Sequence, residues 1–463
     1  MEVPLFEQPL KLFPSSLEND PVPFPDASRN NKEMVALDIS ALMWQPVTGI
    51  QRVILEVVPR FARLCFAQGV SVSLVHSVGS RLWTLCEWNE PVSTAEVAEA
   101  LSHFVESHLR PRDRWIVDTL RRCRGVCRQI PGVGKLADGI PGVTAATRWA
   151  VNRLFDFLAW RNHSRTRRPV TALKYYVNFA TGLLPVALSA RLHPSTILLV
   201  VHDLLPLKAP ACFPKEMRRD FLLNLYDYSC FLNRIGAMVR FVTVSHQVAG
   251  DLRNLLDLLG NPSVPVQTIH NGYAREKFFP DFDQNFRQSM GIPAESKVVL
   301  AVGTREPRKR FGDVEEAIRR LAELRDVHGV FVGRRHPHQG HPRLHYLGYV
   351  DDAGLRRAYS SCDVYVNWSA FEGFGLPLLE ALACGAPVVI PPDNYTLREV
   401  GGRAVRIADH PTVEGLVNAL REFLDCSAGR QPRIDLSRYD WDLVAHAYAQ
   451  ALFGNSEELH AAA

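Results

Sequence analysis

The stretch Phe371-Glu372-Gly373-Phe374-Gly375-Leu376-Pro377-Leu378-Leu379-Glu380-Ala381-Leu382-Ala383-Cys384-Gly385-Ala386-Pro387-Val388-Val389-Ile390 decides the fold class. The run before it, Asp363-Val364-Tyr365-Val366-Asn367-Trp368, is β-branched and aromatic and reads as a buried strand. Pro377 suits the first turn of a helix, Gly385 its left-handed end, and Val388-Val389-Ile390 the next strand. The whole is one βαβ unit with a glycine-rich loop at a helix N-terminus. Free backbone N–H groups and the positive end of a helix dipole meet there, which suits a phosphate. Glu372 lies in the loop and Glu380 about one turn into the helix. Carboxylates at both places can accept hydrogen bonds from sugar hydroxyls. The same residues also serve a plain tight turn and a dipole-complementing glutamate.

Glu372 and Glu380, separated by seven residues within Gly-Phe-Gly-Leu-Pro and Glu-Ala-Leu-Ala-Cys-Gly-Ala-Pro-Val-Val, resemble the signature of family 4 glycosyltransferases. That resemblance spans about Val35 to Leu452 and is strongest in the C-terminal half. It implies an α/β protein of the GT-B fold. Two Rossmann-like, doubly wound domains face a central cleft, and a C-terminal helix crosses back to the N-domain. It also implies retaining, metal-independent transfer of a hexose from a nucleoside diphosphate sugar to an acceptor hydroxyl.

Working outward, Val35–Ser40 reads as a first strand, followed by the loop Gln45–Arg52 and a helix marked by Val53, Leu55, Val57, Val58 and Phe61. Gly49 in that loop would let a ligand approach the backbone, and in the family the matching loop covers the donor diphosphate and acceptor. Thr196–Val201 reads as a strand ending in His202-Asp203-Leu204-Leu205-Pro206-Leu207. Ligand groups sit at the carboxyl ends of strands in doubly wound sheets. By resemblance, His202 contacts the donor sugar; otherwise it is a satisfied strand-end histidine, with Asp203 holding its ring or loop. Lys297–Thr304 opens the second domain, and Gly303-Thr304-Arg305-Glu306-Pro307-Arg308-Lys309-Arg310 follows. A glycine beside two fixed cations makes a diphosphate clamp, or else a solvated basic turn. The family pattern assigns the clamp to Gly303, Arg308 and Lys309 and leaves Arg305 and Arg310 as bystanders. Gly333 and Tyr349 match positions near the family's nucleobase pocket, and Asp393 to Val400 matches a loop beneath the donor. Asp351 is expected to cap a helix.

The expected catalytic set is therefore Glu372, His202, Arg308 and Lys309. Donor binding is expected from Gly49, Gly303, Arg308, Lys309, Gly373, Phe374, Gly375, Leu376 and Glu380. No metal and no cofactor are expected; the nucleoside diphosphate sugar is a substrate.

The expected division is a Pro-rich, disordered 1–33, an N-terminal domain at 34–275, a C-terminal nucleotide-sugar domain at 290–438 and a crossing helix at 439–453. Residues 273–295 would be the linker, and Pro214–Leu232 a helix. With 47% hydrophobic and 22% charged residues, the 463-residue chain is a globular protein with ample core. A net charge of +4 does not argue for nucleic acid. Yet residues 110–168 hold fourteen basic and four acidic residues, a local excess of ten. That basic helical insertion suits an anionic membrane surface or a polyanionic acceptor, or else packs on the N-domain with solvated arginines. The nine cysteines form no Cys-x-x-Cys pair, so neither zinc nor a disulfide framework is expected from spacing. No signal peptide or 20-residue apolar run is visible. A cytoplasmic protein is expected, at most touching the inner face of the membrane.

By resemblance, the family members most like this chain move mannose or rhamnose onto glycan or lipid-linked glycan acceptors during bacterial surface polysaccharide biosynthesis, including lipopolysaccharide. Synthase- or phosphorylase-like activity, a small-molecule or protein acceptor, and a catalytically silent scaffold of the same fold are the alternatives.

Overall fold

A computed structural model describes residues 33–43, 49–78, 81–108, 170, 173–179, 194–213, 238–333, 341–425 and 434–454. The basic segment 110–168, the Pro-rich residues 1–32 and the expected helix at 214–232 lie outside the described residues.

The chain divides into two compact units. One comprises residues 1–200, 227–240 and 448–463, the other residues 201–226 and 241–447. This differs from the sequence expectation at 273–295. That stretch lies inside the second unit, with Phe278, Phe286 and Ile292 in its core. Its backbone is pinned by Ser360 and Ser361, whose hydroxyls accept from the Asp281 and Asp283 amides at 2.9 and 3.0 Å.

The first sheet has seven strands in the order β3-β2-β1-β4-β5-β6-β7. These are β1 (Met34–Asp38), β2 (Ser71–Val78), β3 (Arg81–Trp88), β4 (Tyr175–Asn178), β5 (Thr196–Val201), β6 (Met238–Thr243) and β7 (Val266–Thr268). β1 pairs in parallel with β2 and β4, β4 with β5, and β6 with β7; β3 runs antiparallel to β2. Helix α1 (Gly49–Ala67) buries Val53, Ile54, Val57, Val58, Phe61 and Ala62 along one face, the spacing of an amphipathic helix. Gly49 is the first residue of that helix, exposed, rather than part of the loop before it. Helix α2 (Thr94–His108) follows β3.

The second sheet has six strands in the order β10-β9-β8-β11-β12-β13: β8 (Lys297–Val302), β9 (Val327–Val332), β10 (Leu344–Gly348), β11 (Val364–Val366), β12 (Val388–Ile390) and β13 (Arg406–Ile407). Every neighbouring pair is parallel. Its strands are apolar on both faces because both faces are covered. Val298, Leu300, Val330, Tyr365, Val388 and Ile390 face one core, and the alternating Val299, Ala301, Phe331, Val364, Val366 and Val389 face the other. The first core is closed by α6 (Asp352–Ser361), α7 (Leu376–Ala383) and α8 (Tyr395–Gly401) through Leu355, Leu378 and Leu397. The second is closed by α5 (Phe311–Ala322) and α9 (Val413–Asp425) through Val314 and Leu416. Earlier in this unit lie the single-turn helix α3 (Leu205–Lys208) and the 13-residue helix α4 (His246–Leu258).

The last helix, α10 (Trp441–Phe453), begins in the second unit, and its residues from Tyr448 onward belong to the first. There Tyr448 meets Phe61 and Phe179, with ring centroids 6.4 and 5.8 Å apart, and the Arg240 guanidinium donates to the Ala451 carbonyl at 2.5 Å.

The strand order reverses between β8 and β11. Doubly wound sheets bind ligands outside the carboxyl ends of the strands at such a switch point. The loops that leave β8 and β11 carry Gly303–Arg310 and Asn367–Gly375.

Candidate active site

Local chemistry shapes the loop after β11. Gly375 stands at φ 99°, with Leu376 and Pro377 opening α7. A Cβ on Gly375 would sit 2.7 Å from Leu397, so conformation and space both require glycine there. Cys384 caps the far end, where the Gly385 amide donates to Leu382 and the Ala386 amide to Ala381, both at 3.0 Å. That pairing is a Schellman motif. The helix is fixed at both ends.

Gly373 is held by approach rather than by dihedral angle. A Cβ there would lie 2.1 Å from the His202 carbonyl oxygen. The Ser245 hydroxyl donates to the Gly373 carbonyl at 2.9 Å while accepting from the Val248 amide as the N-cap of α4. His202 is buried. The Asp203 carboxylate accepts from the Leu205 amide at 3.0 Å, so it holds its own loop. Burial raises the Asp203 carboxyl above its ordinary range, against the opposing pull of the Leu205 amide and Arg308.

Loop and cations meet at Glu372. Arg308 donates from Nη1 to Glu372 Oε2 at 3.0 Å and to the Phe371 carbonyl at 3.1 Å, and Lys309 Nζ pairs with Glu372 Oε1. The Ala370 amide donates to the Arg308 carbonyl at 2.8 Å, a main-chain tie between the two loops. Glu306 takes the Arg308 Nε at 2.7 Å. Burial pushes the Glu372 carboxyl up, but Lys309 and Arg308 outweigh it and hold it below the usual glutamate range. Burial alone would lower the Arg308 guanidinium, and Glu372 and Glu306 bring it above its ordinary value.

Glu380 is buried in α7, where the Tyr359 hydroxyl reaches its Oε2 at 3.4 Å. Gly303 leaves β8 beside Gly333, and Phe311, Phe331, Tyr346, Arg305 and Glu315 line a small pocket next to them.

The structure therefore brings His202, Arg308, Lys309, Glu372, Gly373, Phe374 and Gly375 together in one unit, with Gly303, Leu376 and Glu380 on the same junctions. Gly49 belongs to the other unit. Arg305 is a structural partner, donating to the buried Glu315 at 2.5 Å; Tyr346 donates to the same carboxylate at 2.9 Å. Arg310 forks onto Asp393 at 3.2 and 2.7 Å from a left-handed backbone, φ 49°. Tyr349 is 70% exposed. Asp393 to Val400 is not a loop: Asn394 caps α8 through the Leu397 amide at 3.0 Å and donates to the Ser369 carbonyl at 2.8 Å. Asp351 caps α6, accepting from Gly354 at 2.7 Å.

Sequence reasoning passed over Ser245 as a support of Gly373, and it passed over Glu399. The Glu399 carboxylate accepts from the His246 amide at 2.9 and 3.1 Å and meets His270 Nε2 at 2.5 Å. The Asn-capped helix carrying Glu399 was the available signal.

Residues 282–439 match the family described as glycosyl transferases group 1. Among curated proteins, the serotype-specific mannosyltransferase WbdA of Escherichia coli is 30% identical over 211 residues, 41% of this chain and 25% of that protein. The O-antigen chain mannosyltransferase B of Escherichia coli is 40% identical over 89 residues, 19% of this chain and 23% of that protein. The phosphatidyl-myo-inositol mannosyltransferase of Mycolicibacterium smegmatis is 34% identical over 174 residues, 34% of this chain and 44% of that protein. The chain thus spans about a quarter to under half the length of these relatives. Among solved structures, WaaG, a glycosyltransferase involved in lipopolysaccharide biosynthesis, superposes with a TM-score of 0.51 at 15% identity, covering 91% of this chain and all of that one. This likeness establishes the GT-B fold.

Proposed function

We propose, for a chain whose residues 282–439 belong to the group 1 glycosyltransferases, that it transfers a hexose from a nucleoside diphosphate sugar to a glycan or lipid-linked glycan hydroxyl, retaining the anomeric configuration. One observation carries the reading: Arg308 and Lys309 converge on Glu372 beside the Gly373–Gly375 loop, at the switch point of a parallel sheet.

A diphosphate arriving at this loop competes with Glu372 for both cations. Its charge is met by a planar guanidinium, an ammonium and the main chain around Gly375 at the positive end of the α7 dipole. Glu372, released in part, turns its lone pairs to sugar hydroxyls. Glu380 accepts from the ribose, and His202 contacts the sugar. As the glycosidic bond breaks, Arg308 and Lys309 stabilise charge developing on the leaving phosphate, an electrostatic effect worth several kcal/mol when preorganised. The acceptor hydroxyl attacks on the same face, and its proton passes to the leaving phosphate oxygen. The two protein cations take the part a bound metal plays elsewhere, and no cofactor is needed.

Mannose is favoured over rhamnose because the relatives named above are mannosyltransferases. The O-antigen chain mannosyltransferase B among them supports a surface polysaccharide as the acceptor. The basic segment 110–168 suits contact with an anionic membrane surface from the cytoplasmic side. Among the described residues no helix is long and apolar enough to cross a membrane. Thermal-shift titration with GDP, UDP, ADP and dTDP, then turnover of the matching sugar nucleotides, tests the reading. At about 100 times its dissociation constant, the right nucleotide adds roughly 2.7 kcal/mol. GDP is the expected winner; absence of stabilisation by all four, with no turnover, would overturn it.

A further inference from the structure

We propose that His246, His270 and Glu399 form a binding site for one divalent transition-metal ion, with zinc the best match, separate from the Arg308 and Lys309 cations. Three distant segments converge here: the first residue of α4, the residue two beyond β7, and a residue within α8. Their potential ligand atoms all lie within 4.8 Å of one another.

The donor set selects the ion class. Two imidazoles and one carboxylate suit zinc and its first-row neighbours. Calcium and magnesium prefer all-oxygen shells.

The carboxylate is already oriented. The His246 backbone amide donates to both Glu399 oxygens, at 2.9 and 3.1 Å, the kind of outer contact that fixes a metal ligand. The His270 ring packs against both Phe374 and Tyr439, with centroids 5.9 and 6.0 Å away in a three-ring cluster, and meets His246 edge-on at 5.5 Å. Its Nε2 points at Glu399 Oε1.

Tetrahedral zinc with bonds of about 2.0–2.1 Å needs ligand atoms about 3.3 Å apart. The 2.5 Å contact between His270 and Glu399 opens by less than about 1 Å to reach that spacing. His246 is exposed and can rotate inward. Three protein ligands leave a fourth position for water or a substrate oxygen. Because His270 packs on Phe374, an ion here would brace the ring against the glycine loop from outside the diphosphate position.

The experiment uses the full chain, stripped with chelator and titrated with zinc, with bound metal read by mass spectrometry. Cobalt(II) substitution then reads coordination from its visible spectrum. One zinc per chain and a tetrahedral cobalt spectrum are expected. His246→Asn, His270→Asn and Glu399→Gln should each weaken binding by more than the roughly 10- to 100-fold that loss of an outer-shell partner costs. His446→Asn, on another helix, should leave it unchanged. His246 is exposed, so its variant keeps the test valid if the others unfold. Absence of saturable zinc uptake, or binding that survives His246→Asn undiminished, would overturn the proposal.

Discussion

The loops after β8 and β11 leave the same edge of the same sheet, yet they contribute opposite things. The β8 loop brings charge: Arg305, Arg308, Lys309 and Arg310 lie within six residues. The β11 loop brings shape: Gly373 pressed against a carbonyl, Gly375 in the left-handed region, and a helix start beyond them. Each basic residue of the first loop has an acid, but the acids differ in place. Arg305 answers Glu315 on α5, Arg310 answers Asp393, and Arg308 and Lys309 share Glu372 on the glycine loop. Position relative to the shaped loop, not residue type, separates the two cations proposed to meet the donor from those that pair elsewhere in the fold.

Glu372→Gln is the hardest blow to this comparison. It keeps the size of the side chain, removes the charge both cations share, and should abolish transfer while the circular dichroism spectrum stays native; full activity would break the assignment. Arg308→Ala and Lys309→Ala should each lower kcat about 10²- to 10³-fold, the range for losing one preorganised donor. Their double variant should fall short of the product, because groups acting as a unit are not additive. Arg305→Ala sharpens the contrast from the other side. It leaves Glu315, 2% exposed, without its nearest cation and should cost up to about 3 kcal/mol in urea unfolding. Its kcat in folded protein should be close to wild type.

Gly373→Ala drives a methyl into the His202 carbonyl and should cost roughly 1–3 kcal/mol with a loss of turnover. The two carboxylates Glu372 and Asp203 then predict opposite pH responses. Glu372 has a depressed folded value, so its stabilisation is present above the ordinary glutamate range and is lost as pH falls through that lowered value. Asp203 has a raised one, so its penalty grows as pH climbs from the ordinary aspartate range through the raised value. Asp203→Asn should therefore gain stability relative to wild type as pH rises, and Glu372→Gln should lose it; urea midpoints across pH 3–7, about that range, read both. Smallest is Asn394→Ala, which removes the cap of α8 and its tie to Ser369, worth about 1 kcal/mol by thermal melting.

The architecture of the second unit was legible because its signals are local. A β-branched run, a glycine turn, Pro377 and Gly385 sit within one βαβ unit, and the chain folds there as those residues dictate. The motif pointed to Arg308 and Lys309 as an expected diphosphate clamp, but their grip on Glu372 was not legible in it. That contact joins residues more than sixty positions apart. Ser245 on Gly373 and His246 on Glu399 are longer still in sequence, and no periodicity or spacing announces them. The stretch 273–295 misled for a different reason. Its prolines read as a linker, while the apolar Phe278, Phe286 and Ile292 were the signal that it belongs to a core. Asn394 likewise marked a helix start where a loop was expected.

The buried cap Cys384 gives the helix behind the glycine loop a chemical clock. Burial pushes its thiol up to about 12, so near neutral pH almost none is thiolate, and an alkylating reagent meets an unreactive, shielded sulfur. The Schellman turn must open before that sulfur can ionise and react. Pulsed alkylation of Cys384, located by peptide mass, would therefore time the breathing of α7 without adding a probe to the chain. If nucleotide closes the loop above it, the same labelling should slow in step with nucleotide saturation.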